Sequence, residues 1–176
     1  MLLPGEVYNN SVITQPLVEI HKKTRTISNI YEPKSNHEVI GWVTKIQFDR
    51  YILDINAEKS GELEFLQFQG SSKKSYPKFK IGDTVFCKIA KKDLNGLYQL
   101  TCKSKNKKGD WYTDKAYYKQ LKGGVEIQLQ NRTCLYLIKN NWIQKKIQDK
   151  IKFACIVGIN GVAWIRCESL SNQNLI

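Results

Sequence analysis

The sequence predicts an α+β protein with a β-barrel at its centre, and three observations support this class. Five short β-prone segments, separated by turns or loops, lie within residues 37–104. Residues 125–147 then change from strict alternation to the apolar spacing of helices. Close to the C-terminus, Asn160-Gly161 separates two apolar runs, which is the pattern of a β-hairpin. We therefore expect a barrel followed by a strand, two helices and a hairpin.

The N-terminal segment, residues 1–36, contains three short β-prone runs. They lie at 11–14, 17–20 and 26–31, with Pro16 between the first two. A segment of this length is too short to hold a core by itself. We expect a small β domain that packs on the rest of the chain.

Residues 37–104 read as the five strands of a small barrel. We predict these strands at Glu38–Ile46, Tyr51–Ile55, Leu63–Phe68, Phe79–Ile89 and Leu97–Cys102. A long loop over residues 70–78 separates the third strand from the fourth. Five short strands with one long loop are typical of a Greek-key barrel of the OB type. Tyr51 opens the second strand, where its ring is either part of the core or a surface for stacking bases.

Residues 105–176 read as a mixed α/β unit. Val125–Leu129 alternates strictly between apolar and polar residues, which predicts a half-buried strand. A first helix is predicted over Asn131–Lys139, with Asn131 as its N-cap. A second short helix is predicted at Trp142–Ile147, ahead of the hairpin.

The turn of that hairpin, Gly158-Ile159-Asn160-Gly161, is open to two interpretations. It can be a structural turn or a contact between domains, because apolar runs on both sides indicate strands buried on both faces. A Gly-x-x-Gly loop also holds RNA backbone in KH domains, since glycine lets the chain approach phosphates closely. The loop carries no basic residue, which favours the structural interpretation and leaves the RNA grip as the alternative.

The net charge favours a polyanionic partner. The chain has 28 basic and 16 acidic residues, a net charge of +12 and a pI near 9.5. Nucleic acid is the first candidate, and an anionic membrane or an acidic protein is the second. A basic surface that is simply solvated is the alternative. The sequence shows no secretory signal and no apolar run of transmembrane length.

Basic side chains concentrate in connecting segments. Lysine-rich stretches at 73–78 and 103–108 lie close to aromatic residues. Single-stranded RNA requires this combination, because cations contact its backbone and rings stack on its bases. The candidate RNA contacts are Lys45, Arg50, Tyr51, Lys73, Lys74, Lys78, Lys103, Lys105, Lys107 and Lys108. Each stretch has an alternative: the first can be a solvated loop and the second an ordinary domain linker.

The cysteines and the motif content argue against metal binding and catalysis. The five cysteines are an odd number, and even Cys155 and Cys167 are 12 positions apart, so zinc-ligand spacing is absent. We expect buried reduced thiols, an intracellular reducing compartment, no metal and no cofactor. Nucleophile, phosphate-loop and metal-ligand motifs are missing from the sequence, so we expect no enzymatic activity. An RNase whose carboxylates meet only in the fold is the remaining enzymatic alternative.

Several motifs follow one another in a recognisable order. They are Leu3-Pro4-Gly5-Glu6, Tyr31-Glu32-Pro33, His37 to Thr44, Leu63 to Gly70, Ile81-Gly82-Asp83, and Gly158-Ile159-Asn160-Gly161 followed by Trp164-Ile165. In this order the chain resembles, over nearly its whole length, the non-catalytic cap subunits of the RNA exosome. The resemblance is greatest to the ribosomal RNA-processing protein 40 type.

The resemblance implies a fold and a function. It implies an N-terminal β domain over 1–36, an S1-type OB barrel over 37–104 and a KH-like domain over 105–176. Such subunits sit with other cap subunits on a ring of RNase-PH-like subunits. They help to guide RNA into the central channel, toward a separate processive nuclease, for 3′–5′ degradation and rRNA processing. The nucleus with its nucleolus, and the cytoplasm, are the implied locations, with no membrane as partner.

The resemblance also implies that Gly5, Gly158, Asn160, Gly161 and Trp164 are architectural, with the GxNG turn packed between the barrel and the KH-like domain. The alternative function is a free-standing OB–KH RNA-binding protein in translation or ribosome assembly. That alternative predicts RNA affinity in isolation with a steep salt dependence.

Overall fold

The structure is a computed structural model that describes residues 7–8, 11–12, 31–92, 96–104, 109–112, 115–140, 142–149 and 152–167. Two strands belong to the N-terminal segment, β1 (Val7–Tyr8) and β2 (Ser11–Val12), and they pair antiparallel. Gly5 and the predicted run at 17–20 lie outside the described residues. The N-terminal domain and the three domain boundaries stay predictions.

Five strands close into the predicted barrel. They are β3 (Glu38–Ile46), β4 (Arg50–Asp54), β5 (Gly61–Glu64), β6 (Thr84–Lys92) and β7 (Tyr98–Thr101). Their order is β3-β4-β5-β7-β6, and a further antiparallel pairing of β3 with β6 completes the ring. The β5–β7 pair is parallel, while the other pairs are antiparallel. The OB-like barrel predicted from the sequence is therefore confirmed.

The barrel core follows from the alternation of side chains along its strands. In β4 and β5 every second residue is buried, as expected when one face of a strand points inward. The fully buried side chains include Val39, Ile40, Val43, Leu53, Ile55, Leu63, Phe68, Val85, Ile89 and Leu100. In β3 three consecutive residues, Val39 to Gly41, are buried, because the C-terminal unit covers the outer face of this strand.

Two predicted strands are too long at the ends that border the long loop. The fourth strand begins at Thr84 instead of Phe79, because residues 80–83 form a turn in which the Asp83 carboxylate accepts the Lys80 N–H (2.8 Å). Gly82 has φ +93 in this turn. The third strand ends at Glu64, where the Gln67 N–H bonds to the Glu64 carbonyl (3.0 Å).

The C-terminal unit is a three-stranded antiparallel sheet with two helices. It comprises β9 (Val125–Gln128), α1 (Asn131–Lys139), α2 (Trp142–Gln148), β10 (Phe153–Gly158) and β11 (Val162–Cys167), in sheet order β10-β11-β9. A short strand before it, β8 (Gln120–Leu121), pairs with β6 of the barrel. These elements confirm the α+β class. No helix in the described part of the chain is long and apolar enough to cross a membrane.

Details of the first helix differ from the prediction. Asn131 is its first residue, and Gln130 occupies the N-cap position without a side-chain cap bond. The Asn131 side-chain oxygen instead lies beside Gly161, so tertiary packing has displaced its capping role. The described side chain that α1 buries completely is Cys134. β9 is more exposed than predicted: Val125 is 48% exposed, and only Ile127 is partly covered.

Trp164→Ala will test the core assignment of the hairpin. Trp164 is 5% exposed, so removing its ring leaves a cavity, and the free energy of unfolding should fall by about 3–5 kcal/mol. The control is Trp142→Ala, because Trp142 is 57% exposed and its loss should change stability by about 0.5 kcal/mol or less. Urea unfolding of both variants measures the difference. Equal unfolding midpoints would contradict the burial of Trp164.

Candidate functional site

The amide of Asn160 joins the C-terminal hairpin to the barrel. Its Oδ1 accepts the Ile40 N–H (3.2 Å), and its Nδ2 donates to the carbonyls of Ile40 (2.7 Å) and Ile55 (2.9 Å). The Asn160 carbonyl in turn accepts a hydrogen bond from the Asn56 amide (2.9 Å). Asn160 is 0% exposed, so these bonds are shielded from water.

Gly158 and Ile159 of the turn also contact β3. The Ile159 N–H donates to the Glu38 carbonyl (2.9 Å), and a Cβ at Gly158 would lie 2.9 Å from the Ile40 nitrogen. Gly161 has φ +80 and its carbonyl accepts the Leu129 N–H (2.8 Å). Three residues, 159–161, connect the paired ends Gly158 and Val162, which is a hairpin with a left-handed residue at its last loop position.

This geometry agrees with the structural interpretation of the turn. An RNA grip needs exposed backbone N–H groups, whereas Gly158, Asn160 and Gly161 are buried against the barrel. The adjoining β11 is buried from Val162 to Ile165, as the two apolar runs predicted. The outer half of β10, from Phe153 to Ile156, is only partly covered.

Two carboxylates link further elements to the barrel. Glu126 of β9 accepts hydrogen bonds from the Trp42 indole N–H and the Thr84 hydroxyl. Glu38 of β3 accepts the hydroxyls of Tyr117 (3.1 Å) and Tyr118 (2.8 Å). Burial, with Glu38 beside it, raises the pKa of Tyr118 above its ordinary value, so this hydroxyl stays a donor. Both carboxylates serve in packing.

Three of the five cysteines, Cys87, Cys102 and Cys134, are buried thiols. Burial raises the pKa of Cys87 to about 12 and the pKa values of Cys134 and Cys155 to about 11. Protonated thiols are poor nucleophiles and poor metal ligands. The described residues also contain no group of three or more His, Cys, Asp or Glu side chains that could hold a metal ion.

The long loop after β5 carries the main exposed basic group. Lys73, Lys74 and Lys78 are exposed, and a turn between Ser72 and Ser75 orders the loop through reciprocal backbone hydrogen bonds (2.8 and 3.1 Å). We call residues 70–78 the basic loop. Its three lysines are predicted RNA contacts that lie on one segment of the chain, and all three are exposed.

An aromatic pair accompanies the basic loop. The ring of Tyr76 stacks on that of Phe65 with centroids 4.7 Å apart and planes 7° apart, and both side chains are partly exposed. Phe65 also packs on Tyr51 (4.6 Å). Sequence reasoning did not propose Phe65 as a site residue. The signal that could have found it is its position just after a strand, opposite a loop rich in lysine.

Tyr51 belongs to the core, so the structure corrects its assignment as a stacking surface. It is 2% exposed, and its hydroxyl donates to the Pro77 carbonyl (2.6 Å) and accepts the Phe79 N–H (3.2 Å). Its ring packs on Phe79 (4.9 Å). Tyr51 therefore anchors the C-terminal end of the basic loop to the barrel.

Arg50 is also less available for contact with RNA than predicted. Its guanidinium bonds to the carboxylates of Asp49 (2.8 Å) and Glu62 (2.8 Å). These hydrogen bonds raise the pKa of Arg50 above its ordinary value and balance its charge. Lys45 and Lys103 are exposed but lie on other segments, and Lys105, Lys107 and Lys108 lie outside the described residues. The tip between β3 and β4 also presents Phe48, which is fully exposed.

Comparison with known proteins gives one consistent result. Residues 31–112 match the family model described as "Exosome complex component RRP40, S1 domain". The chain is 31% identical over 150 residues to exosome complex component rrp40 of Schizosaccharomyces pombe, covering 83% of this chain and 60% of that protein. It is 29% identical over 150 residues to exosome complex component RRP40 of Saccharomyces cerevisiae, covering 82% of this chain and 60% of that protein. The chain thus spans about three fifths of the length of these relatives.

The fold also matches a solved structure. A crystal structure of a protein provisionally described as an exosome complex RNA-binding protein superposes with a TM-score of 0.66 at 17% identity. The match covers 83% of this chain and 81% of that one. At this level of identity the match establishes the fold.

Asn160→Ala will test the junction. The change leaves the Ile40 N–H and the carbonyls of Ile40 and Ile55 without their side-chain partner, at about 1–3 kcal/mol for each buried unsatisfied group. The free energy of unfolding should fall by about 3 kcal/mol or more. Asn140→Ala is the control, because the Asn140 amide makes an exposed bond to the Tyr136 carbonyl (2.9 Å) at the end of α1. Denaturant unfolding compares them, and similar losses in both variants would contradict the role of Asn160.

Proposed function

We propose that this chain, whose residues 31–112 match the RRP40 S1-domain model, is a non-catalytic RNA-binding cap subunit of an RNA exosome. In this role it helps to assemble the complex and guides RNA into a central channel for 3′–5′ degradation and rRNA processing. The observation that carries the RNA role is the basic loop, held on an OB-like barrel beside the Phe65–Tyr76 pair.

The chemistry of this surface suits single-stranded RNA. Three exposed lysines on one loop attract phosphates, whereas the charge of Arg50 is balanced by Asp49. Two parallel rings at the foot of the loop offer a place where an unstacked base can bind. Because the Tyr51 hydroxyl holds the loop at Pro77, the loop should lose less conformational entropy when it binds RNA.

The proposed partners are RNA, RNase-PH-like ring subunits, the other cap subunits and an associated processive nuclease. The names of the relatives, all of them exosome components, favour this assembly over a free-standing RNA-binding protein in translation or ribosome assembly. The proposed locations are the nucleus, including the nucleolus, and the cytoplasm, where an exosome would act.

Purification of the tagged chain from native extract will test the assembly. We expect RNase-PH-like subunits and a processive nuclease to co-purify, since a cap subunit is held by the ring. Mass spectrometry identifies the proteins, and an unrelated OB-fold protein with the same tag is the control. Recovery of ribosomal proteins, or of RNA alone, would instead support the free-standing alternative.

Lys73→Ala with Lys74→Ala will test the RNA path. In a complex reconstituted with the ring subunits, loss of two phosphate contacts should shorten or weaken the RNA segment protected from nuclease and lower the salt dependence of binding by about 1.4 in slope. The control is Lys145→Ala with Lys146→Ala, an adjacent exposed lysine pair on α2. Both double variants should assemble like the wild type. Unchanged RNA protection in the Lys73/Lys74 variant would refute the proposed role of the basic loop.

A further inference from the structure

A basic cleft lies where the barrel meets the C-terminal sheet. It encloses about 660 Å³, within the roughly 300–1,000 Å³ typical of small-ligand sites. One wall comes from the barrel side at Phe68 and Pro77–Phe79, and the opposite wall comes from β10 and β11 at Ala154, Ile156, Trp164 and Arg166. Both units therefore contribute residues to one concave surface.

The charges of the cleft have one sign. Lys78, Lys119, Lys122 and Arg166 line it, and none of its described lining residues is Asp or Glu. Four cations around one concavity create a positive potential that attracts a polyanion. The carboxylate of Asp110 accepts the Tyr112 hydroxyl (2.8 Å) and is not part of the lining.

Aromatic side chains belong to the same lining, among them Trp111 and Tyr112. Tyr112 is 66% exposed, and its ring meets that of Trp111 edge to face with centroids 5.8 Å apart. The backbone N–H of Trp111 donates to the Gln69 carbonyl (2.8 Å), and this bond holds the wall to the barrel. The indole N–H of Trp111 is buried without a hydrogen-bond partner among the described residues. An exposed aromatic ring in the same lining as four cations favours a ligand that has both phosphates and bases.

We propose that this cleft binds a nucleotide segment of single-stranded RNA, with Lys122 and Arg166 on the phosphates and the Tyr112 ring stacked on a base. The inference rests on the proposed function and adds a second contact site to the basic loop. Lys78 belongs both to the basic loop and to the cleft lining, so an RNA strand that follows the loop continues into the cleft. The RNA contact surface of the chain then includes the C-terminal sheet as well as the barrel.

The charge test uses the full chain with a double substitution, Lys122→Gln together with Arg166→Gln. The matched control is the double substitution Lys145→Gln together with Lys146→Gln. Both pairs are exposed cations, but only the first lines the cleft. With a fluorescein-labelled 12-nucleotide oligouridylate as probe, anisotropy should show about 3–10-fold weaker binding for the first pair, with a salt slope lower by about 1.4. The control should differ from the wild type by less than about twofold. Equal affinities for both pairs would overturn the proposal.

A second experiment locates the RNA on the protein. Cross-linking to a 4-thiouridine oligonucleotide, followed by mass spectrometry of peptides, should label the peptide that contains Trp111 and Tyr112. Tyr112→Ala should remove this cross-link. Tyr112→Phe should bind the RNA probe with the affinity of the wild type in anisotropy, because phenylalanine keeps the stacking ring. A melting curve for each variant checks that the fold is intact.

The outcomes separate the two proposals. Cross-links confined to the basic loop would refute the cleft and leave the proposed function standing. Cross-links absent from both surfaces would refute RNA binding at the loop and at the cleft together. If a polyglutamate peptide of equal charge competes as well as unlabelled RNA, the cleft is a site for acidic peptides and the RNA proposal fails.

Discussion

The side chain of Asn160 is the constraint on which the arrangement of this protein depends. Asparagine offers a donor and an acceptor on one short, neutral group, and here it bonds to the Ile40 N–H and to two carbonyls more than 100 residues earlier in the chain. An aspartate could not donate to the carbonyls and would bury a charge. The Asn160 side-chain oxygen also occupies the space that a Cβ at position 158 would need, which explains the glycine there. The bonds fix the hairpin of β10 and β11 against β3.

The two surfaces assigned to RNA depend on that junction in different ways. The basic loop is anchored to the barrel, where the Tyr51 hydroxyl bonds to the backbone of Pro77 and Phe79. The cleft exists only where the barrel and the C-terminal sheet are in contact, because its two walls come from different units. The same buried amide that joins the hairpin to the barrel therefore also helps to hold the two walls of the cleft together.

Local patterns predicted much of this fold. Alternation and turn residues located the barrel strands, and the bounds of β3 agree with the structure residue for residue, since Glu38–Ile46 lies between clear turn signals. The missed features depend on distant partners. Arg50 is neutralised by Glu62 of the neighbouring strand, Tyr51 is buried by the loop that folds over it, and Asn131 turns toward Gly161. The sequence favoured the structural interpretation of the GxNG turn but did not identify the turn's partners, because Ile40 and Ile55 are remote in the chain.

The position of the cleft links RNA binding to the stability of the junction. A ligand that contacts both walls binds the assembled arrangement and not a state in which the hairpin has separated from β3. By mass action it stabilises the assembled arrangement by RT ln(1 + [L]/Kd), which is about 2.7 kcal/mol when the ligand concentration is 100 times its Kd. That is comparable with two or three hydrogen bonds of the Asn160 amide, at about 0.5–1.5 kcal/mol each. RNA bound in the cleft and the buried amide of Asn160 would therefore both stabilise the arrangement in which the hairpin contacts β3.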